Sequence, residues 1–174
     1  TDNVALAADG LDESEWITEV RPGLTLTVEG PKFSGDLNYE MQILKFDDNG
    51  DLDDVFNQLD AKGNLEVIPD STFVDAFARY DQQGVSTGGR RAFSNLFETD
   101  NRTDYAVFGL SPYHTGTWGS WGESLVRLTA YGVRYNNTDD GAVEPEDSDN
   151  LEFSAALGSP EGAPGLNWGA RGSY

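Results

Sequence analysis

Between Trp16 and Gly30 the chain alternates for about fourteen residues, with Trp16, Thr18, Val20, Pro22, Leu24, Leu26 and Val28 on one side and Ile17, Glu19, Arg21, Gly23, Thr25, Thr27 and Glu29 on the other. Period two is the mark of a half-buried strand. A strand of this length exceeds the usual roughly 5–6 residues. Its apolar side must meet either a second packed sheet or lipid.

The same alternation returns along the chain. Leu37, Tyr39, Met41 and Ile43 oppose Asp36, Asn38, Glu40 and Gln42, and Leu44 breaks the alternation, which predicts a bulge or the end of the buried zone. Val55, Leu59, Ala61, Leu65 and Val67 share a side against Gln58, Asp60, Lys62 and Glu66; Val74, Ala76, Ala78 and Tyr80 oppose Phe73, Asp75, Phe77, Arg79 and Asp81. A short strand over 105–110, a turn over 111–119 and a long alternating run over 120–137 follow. The faces of that last run stay unassigned, because Arg127 and Arg134 fall on opposite sides. With 151–157, 166–174 and the opening 1–8, about eight or nine antiparallel strands are expected in one domain, 1–174. Connections near 30–32, 69–71, 112–113 and 160–161 are short or moderate, whereas those at 9–15, 47–54, 82–103 and 137–149 are acidic or polar and mostly longer. An up-and-down sheet would gather the short ones at one end and the long ones at the other, as outer-membrane barrels do. A Greek-key sandwich has no reason to sort them so.

Charge and composition remove several function classes. Lys+Arg number 11 against Asp+Glu 31, a formal net charge of −20, so no basic face exists for nucleic acid. Without cysteine there is neither a disulfide framework nor a thiolate metal site. No run of 18 or more apolar residues is present, which excludes a spanning helix but not spanning strands. No signal-peptide-like segment opens the chain at Thr1, which leaves room for a leader removed earlier.

Three observations favour lipid over a second sheet. The strands approach the 9–11 tilted residues that cross a bilayer. Aromatic residues near strand ends (Trp16, Phe46, Tyr80, Trp118, Trp121 and Tyr135) suit interfacial girdles. Charges such as Glu19 with Arg21 and Asp75 with Arg79 fall at strand centres, which a wet lumen tolerates and a dry core does not.

The stretches TDNVALA, WITEVRPGLTLTVEG, LNYEMQILKF, STFVDAFARYDQQGVS, LSPYHTGTWG, VRYNN and LNWGARGSY, in that order, resemble the front part of the outer-membrane β-barrel family associated with PEP-CTERM/exosortase systems. The resemblance implies a Gram-negative outer-membrane barrel near polysaccharide-export and protein-sorting machinery, with no established activity. Members are longer at both ends. The chain is therefore expected to be part of a barrel with at least one terminal strand open or paired outside these 174 residues, so that cysteines at Ala5 and Ala170 would not bridge.

Few residues point to chemistry. His114 is the only histidine and sits in a polar segment; with no GxSxG elbow, a hydrolase built on it and Asp104 lacks support, and no enzymatic activity is expected. Asp47, Asp48, Asn49, Asp51, Asp53 and Asp54 crowd oxygen ligands on a glycine-containing loop, the best Ca²⁺ candidate, although position six is Leu52 and position twelve Gln58, unlike an EF-hand. Asp139, Asp140, Glu144, Glu146, Asp147 and Asp149 form a second such loop. Gly88-Gly89-Arg90-Arg91 lacks a phosphate-loop ending and reads as a mobile loop, the alternative being that its arginines pair with an anionic saccharide or lipopolysaccharide group.

The expectation is an all-β, antiparallel up-and-down meander forming all or part of an outer-membrane β-barrel. It would be a non-enzymatic pore or scaffold in contact with lipid and lipopolysaccharide, serving polysaccharide or protein export, with no cofactor; the acidic loops are read first as solvated charge and, as the alternative, as Ca²⁺ sites. Glu19, Arg21, Asn38, Glu40, Gln42, Asp75 and Arg79 would line its lumen and set charge selectivity. The rival expectation is a secreted matrix or filament protein that self-associates through open sheet edges, with Ca²⁺ as an aid.

Overall fold

A computed structural model describes residues 16–47, 50, 53–83, 103–136, 145–159 and 168–174. They form nine strands and no α-helix: β1 (Ile17–Val20), β2 (Gly23–Glu29), β3 (Phe33–Phe46), β4 (Asp54–Ile68), β5 (Thr72–Gln83), β6 (Thr103–Trp118), β7 (Gly122–Asn136), β8 (Ser148–Gly158) and β9 (Gly169–Ser173). All pairings are antiparallel, in the order β1-β3-β4-β5-β6-β7-β8-β9 with β2 also on β3. The expected all-β meander is therefore the observed one. Among the described residues the sheet is open: β1 and β2 share one edge, β9 forms the other, and the two edges do not pair. Ala5 and the opening strand 1–8 lie outside the described residues.

Two prolines show how the sequence tunes the ladder. Residues 16–30 behave as one strand interrupted at Arg21-Pro22, since Val20 opposite Ile43 and Gly23 opposite Glu40 keep the same register. Pro22 accepts a bond from the Met41 N–H at 2.9 Å but has no N–H to return, a defect that an edge strand tolerates. Pro112 does not turn the chain as its sequence context predicts. β6 runs through it to Trp118, and the turn comes at 119–121, where Gly119 adopts φ +63°. Pro112 keeps its place opposite Val74 on β5, while the β6–β7 ladder skips Ser111 and Pro112. A Ser111–Thr129 hydroxyl bond of 2.8 Å spans that gap.

The register sorts the sheet into two unlike faces. On one lie Leu24, Leu26, Leu37, Leu59, Ala61, Ala78, Phe108, Leu128, Leu151 and Phe153, together with Trp16, Tyr39, Met41, Ile43, Val74 and Tyr80. No second layer packs on this face among the described residues, and Leu26, Leu110 and Leu151 are 52%, 55% and 67% exposed. The other face carries the polar partners of each alternation. Glycines apart, all six buried residues (Gln42, Leu44, Phe46, Phe56, Thr103 and Ser111) belong to it, so the sheet curls toward its polar side.

Leu44 marks no bulge. The β1–β3 ladder passes it in register and the β3–β4 ladder ends on it opposite Asp54, and its side chain, 1% exposed, packs with Phe46, Phe56 and Ile17 at one end of the polar face. Burying a side chain of this kind stabilises by about 1.5–3 kcal/mol. A single apolar plug thus anchors the β1–β3–β4 corner.

On the apolar face the boundary with polar residues runs through Lys45, Asn57, Gln82, Asp104, Arg134 and Asp149, one on each strand from β3 to β8. It does not follow the register. Asp149 lies in register with Gly132, Phe108, Ala78, Ala61 and finally Leu37, eight residues short of Lys45. At about 3.3 Å per residue and 4.8 Å per strand, that slide over the strands from β3 to β8 is a tilt of roughly 45°. The short turns slide the same way: Phe33, at the β2–β3 turn, is in register with Pro112, six residues before the end of β6. Strands in closed barrels tilt by about 35–45° to the barrel axis.

Candidate functional site

The seven polar residues singled out from the sequence all lie on the polar, concave face, but not in one cluster. Four meet at the β1–β3 edge: Arg21 Nε donates to Glu19 at 2.6 Å, its Nη1 to Glu40 at 3.5 Å, and Gln42 donates to Glu19. Asn38 stands opposite Thr25 and Asp60, and Arg79 binds Asp81 on its own strand at 3.1 Å.

Asp75 belongs to a second cluster at the centre of the sheet. Its carboxylate accepts from Asn64 Nδ2 at 2.7 Å and from Arg127 Nη1 at 2.6 Å. Asn64 also donates to the Tyr113 hydroxyl at 3.1 Å, and Arg127 to Ser111 at 2.9 Å. The Arg127 guanidinium lies 4.2 Å from the centroid of the Tyr113 ring, which stacks on Phe73 at 5.1 Å. Two of these bonds skip a strand: Arg127 on β7 reaches Asp75 on β5, and Asn64 on β4 reaches Tyr113 on β6. Side chains meet this way over a surface that curves inward.

Sequence reasoning missed four members of this cluster for one reason. With a turn placed over 111–119, Ser111 and Tyr113 leave the sheet, and Arg127 and Thr129 lose the strand that decides their side. In the ladder Arg127 is on the polar face, while Arg134 ends the apolar face as a rim residue paired with Asp147 and Asp149.

The aromatic residues divide likewise. Trp16 and Tyr80 stand on the apolar face toward its long-loop end, where Tyr39 and Tyr80 donate their hydroxyls to Asn57 and Asp104. At the short-turn end Trp118 and Trp121 lie 5.6 Å apart, with Phe33 and Trp168 on the same rim. Phe46 and Tyr135 do not join these girdles: both are on the polar face, Phe46 in the apolar plug and Tyr135 against Tyr105 at 5.5 Å. Between the two rims, Gly35, Ala61, Gly63, Ala76 and Ala78 leave a shallow trough of about 550 Å³, walled by Leu26, Val28, Phe108 and Leu110.

The candidate metal loops are only partly described. Asp48, Asn49 and Asp51 lie outside the described residues, as do Asp139, Asp140, Glu144 and the Gly88-Gly89-Arg90-Arg91 segment. Asp53 is engaged by the protein itself: Oδ1 accepts from the Phe46 N–H at 2.9 Å and Oδ2 pairs with Lys45. The Lys45 ammonium, with help from that N–H, holds the Asp53 carboxyl below its ordinary pKa. Asp54 accepts from the Val55 N–H. Among the described residues no three carboxylates or histidines converge as a metal site. His114 bonds Thr72 Oγ1 at 3.0 Å, and Asp104, at the other end of β6, bonds Tyr80 and Gln82 instead.

No protein-family model, curated protein or solved structure matches the chain.

Proposed function

We propose that this chain forms all or part of an outer-membrane β-barrel with a water-filled interior, acting as a non-enzymatic pore or export scaffold. The observation that carries this reading is the sheet's inversion: the apolar face is the exposed one and the polar face is the concave, more buried one. A soluble sheet places its apolar residues against a core, because that burial is what offsets the entropy of folding. Among the described residues no second layer covers the apolar side chains, and lipid would supply the missing apolar phase. The girdles and the roughly 45° tilt support the same reading. From Asn57 to Ile68, the eleven-residue rise of β4 at that tilt spans about 25 Å, the height of an outer-membrane apolar band. The motif order resembling barrels of the PEP-CTERM/exosortase group points to export of a polymer.

The open edges favour a second reading, self-association of copies through strand pairing outside a membrane. Flotation separates the two. The protein diluted from urea into lipid vesicles is expected to rise with them and to resist urea extraction while showing a β-sheet signal. Recovery of the same sheet as dispersed or pelleted protein, without lipid or detergent and with no flotation, would contradict the barrel.

A further inference from the structure

We infer that the polar face forms a cation-preferring path, with Asp60 among the carboxylates that set the preference. The inference rests on the pore reading above. Not the protein's overall acidity but the pairing on this one face carries it. Its cations are Arg21, Lys62, Arg79, Arg127 and Arg171. Four are already held by carboxylates of the same face: Arg21 by Glu19 and Glu40, Lys62 by Asp36, Arg79 by Asp81, and Arg127 by Asp75. Each one-to-one pair is close to neutral a few ångströms away, and Arg21 with its two carboxylates keeps a net negative charge. Glu29, Asp54, Asp60, Glu66, Glu123 and Glu152 have no cation within ion-pair distance among the described residues, against Arg171 and, in the β2–β3 turn beside Glu66, Lys32 on the positive side.

Asp60 is the best placed of these. It stands on β4 between Asn38 and Arg79, three residues inside the polar boundary at Asn57, and is exposed to the concave side. Arg79, its direct neighbour, points its Nη2 at Asp81. Low-dielectric walls concentrate the field of uncompensated charges along such a channel and enrich counter-ions in it. Rings of carboxylates select cations by this means.

The test is a reversal potential for the full chain in a planar bilayer under a KCl gradient. Potassium is expected to permeate about threefold or more over chloride. Asp60→Asn should lower that ratio and Arg79→Gln should raise it, opposite shifts that general misfolding would not produce. An unselective or chloride-preferring conductance overturns the inference and leaves the pore standing. A cation preference unmoved by both variants overturns the assignment to this face. Protein that floats with vesicles yet gives no conductance overturns the pore and the inference together.

Discussion

Leu110→Arg is expected to destabilise the protein in vesicles by about 2–4 kcal/mol, the cost of placing an arginine on the lipid side of a barrel near mid-membrane. Leu110 lies near the middle of the apolar stretch of β6, opposite Ala76 and Ala130, and is 55% exposed. On a soluble sheet, an exposed position with no hydrogen bond or cavity at stake changes stability by no more than about 0.5 kcal/mol. The same substitution thus separates lipid from water by its size alone. Gln58→Arg, exposed on the polar face, is the control and should sit near zero in both settings. Urea unfolding in vesicles reads both variants; a Leu110→Arg effect no larger than that of Gln58→Arg would contradict a lipid-facing β6.

A second large effect is expected at Gly109, where a methyl group has no room. A Cβ built there would lie 2.7 Å from the Ala130 carbonyl oxygen, the Phe77 ring and Tyr131 Cβ. Two of those three atoms belong to β7 and can yield only if the ladder opens. Gly109→Ala should therefore cost about 1–3 kcal/mol, the range for overpacking. Gly172→Ala, with nothing within 4 Å of the new carbon, should be neutral or slightly stabilising through the unfolded chain. Equal stability of the two variants would mean that β6 and β7 do not approach as described.

Most strand faces, though not those of β7, were readable in the sequence because side-chain direction in a strand depends only on parity. Leu24, Leu37, Ala61 and Val74 share a face whatever their neighbours do, once each strand is paired in register. What escaped depends on the partner strand. Pro112 reads as a turn residue in isolation; only the continuous β5 ladder and the Ser111–Thr129 bond show that a proline is absorbed there. Leu44 reads as a broken alternation because its apolar partners Phe56 and Ile17 come from other strands. Arg134 conflicts with Arg127 until the slide of the polar boundary shows that one is rim and the other interior. The tilt itself cannot be read from any single strand, since it is a sum of register offsets across the sheet. The Asp75–Arg127 cluster went unseen for the same reason, being assembled from four strands.

The central claim is that the apolar face meets lipid and the polar face meets water. Spin labels placed one at a time along β4 and β6 in vesicle-reconstituted protein test it most directly. At Leu59, Ala61, Gly63, Phe108 and Leu110, collisions with oxygen should dominate; at Gln58, Asp60, Lys62, Tyr105 and Val107, collisions with a water-soluble nickel complex should dominate. The two relaxing agents should alternate residue by residue, with the oxygen maximum midway between the Tyr80 and Trp118 rims. Labels on the apolar face that are shielded from both agents, or reached by the nickel complex as readily as the polar face, would contradict it.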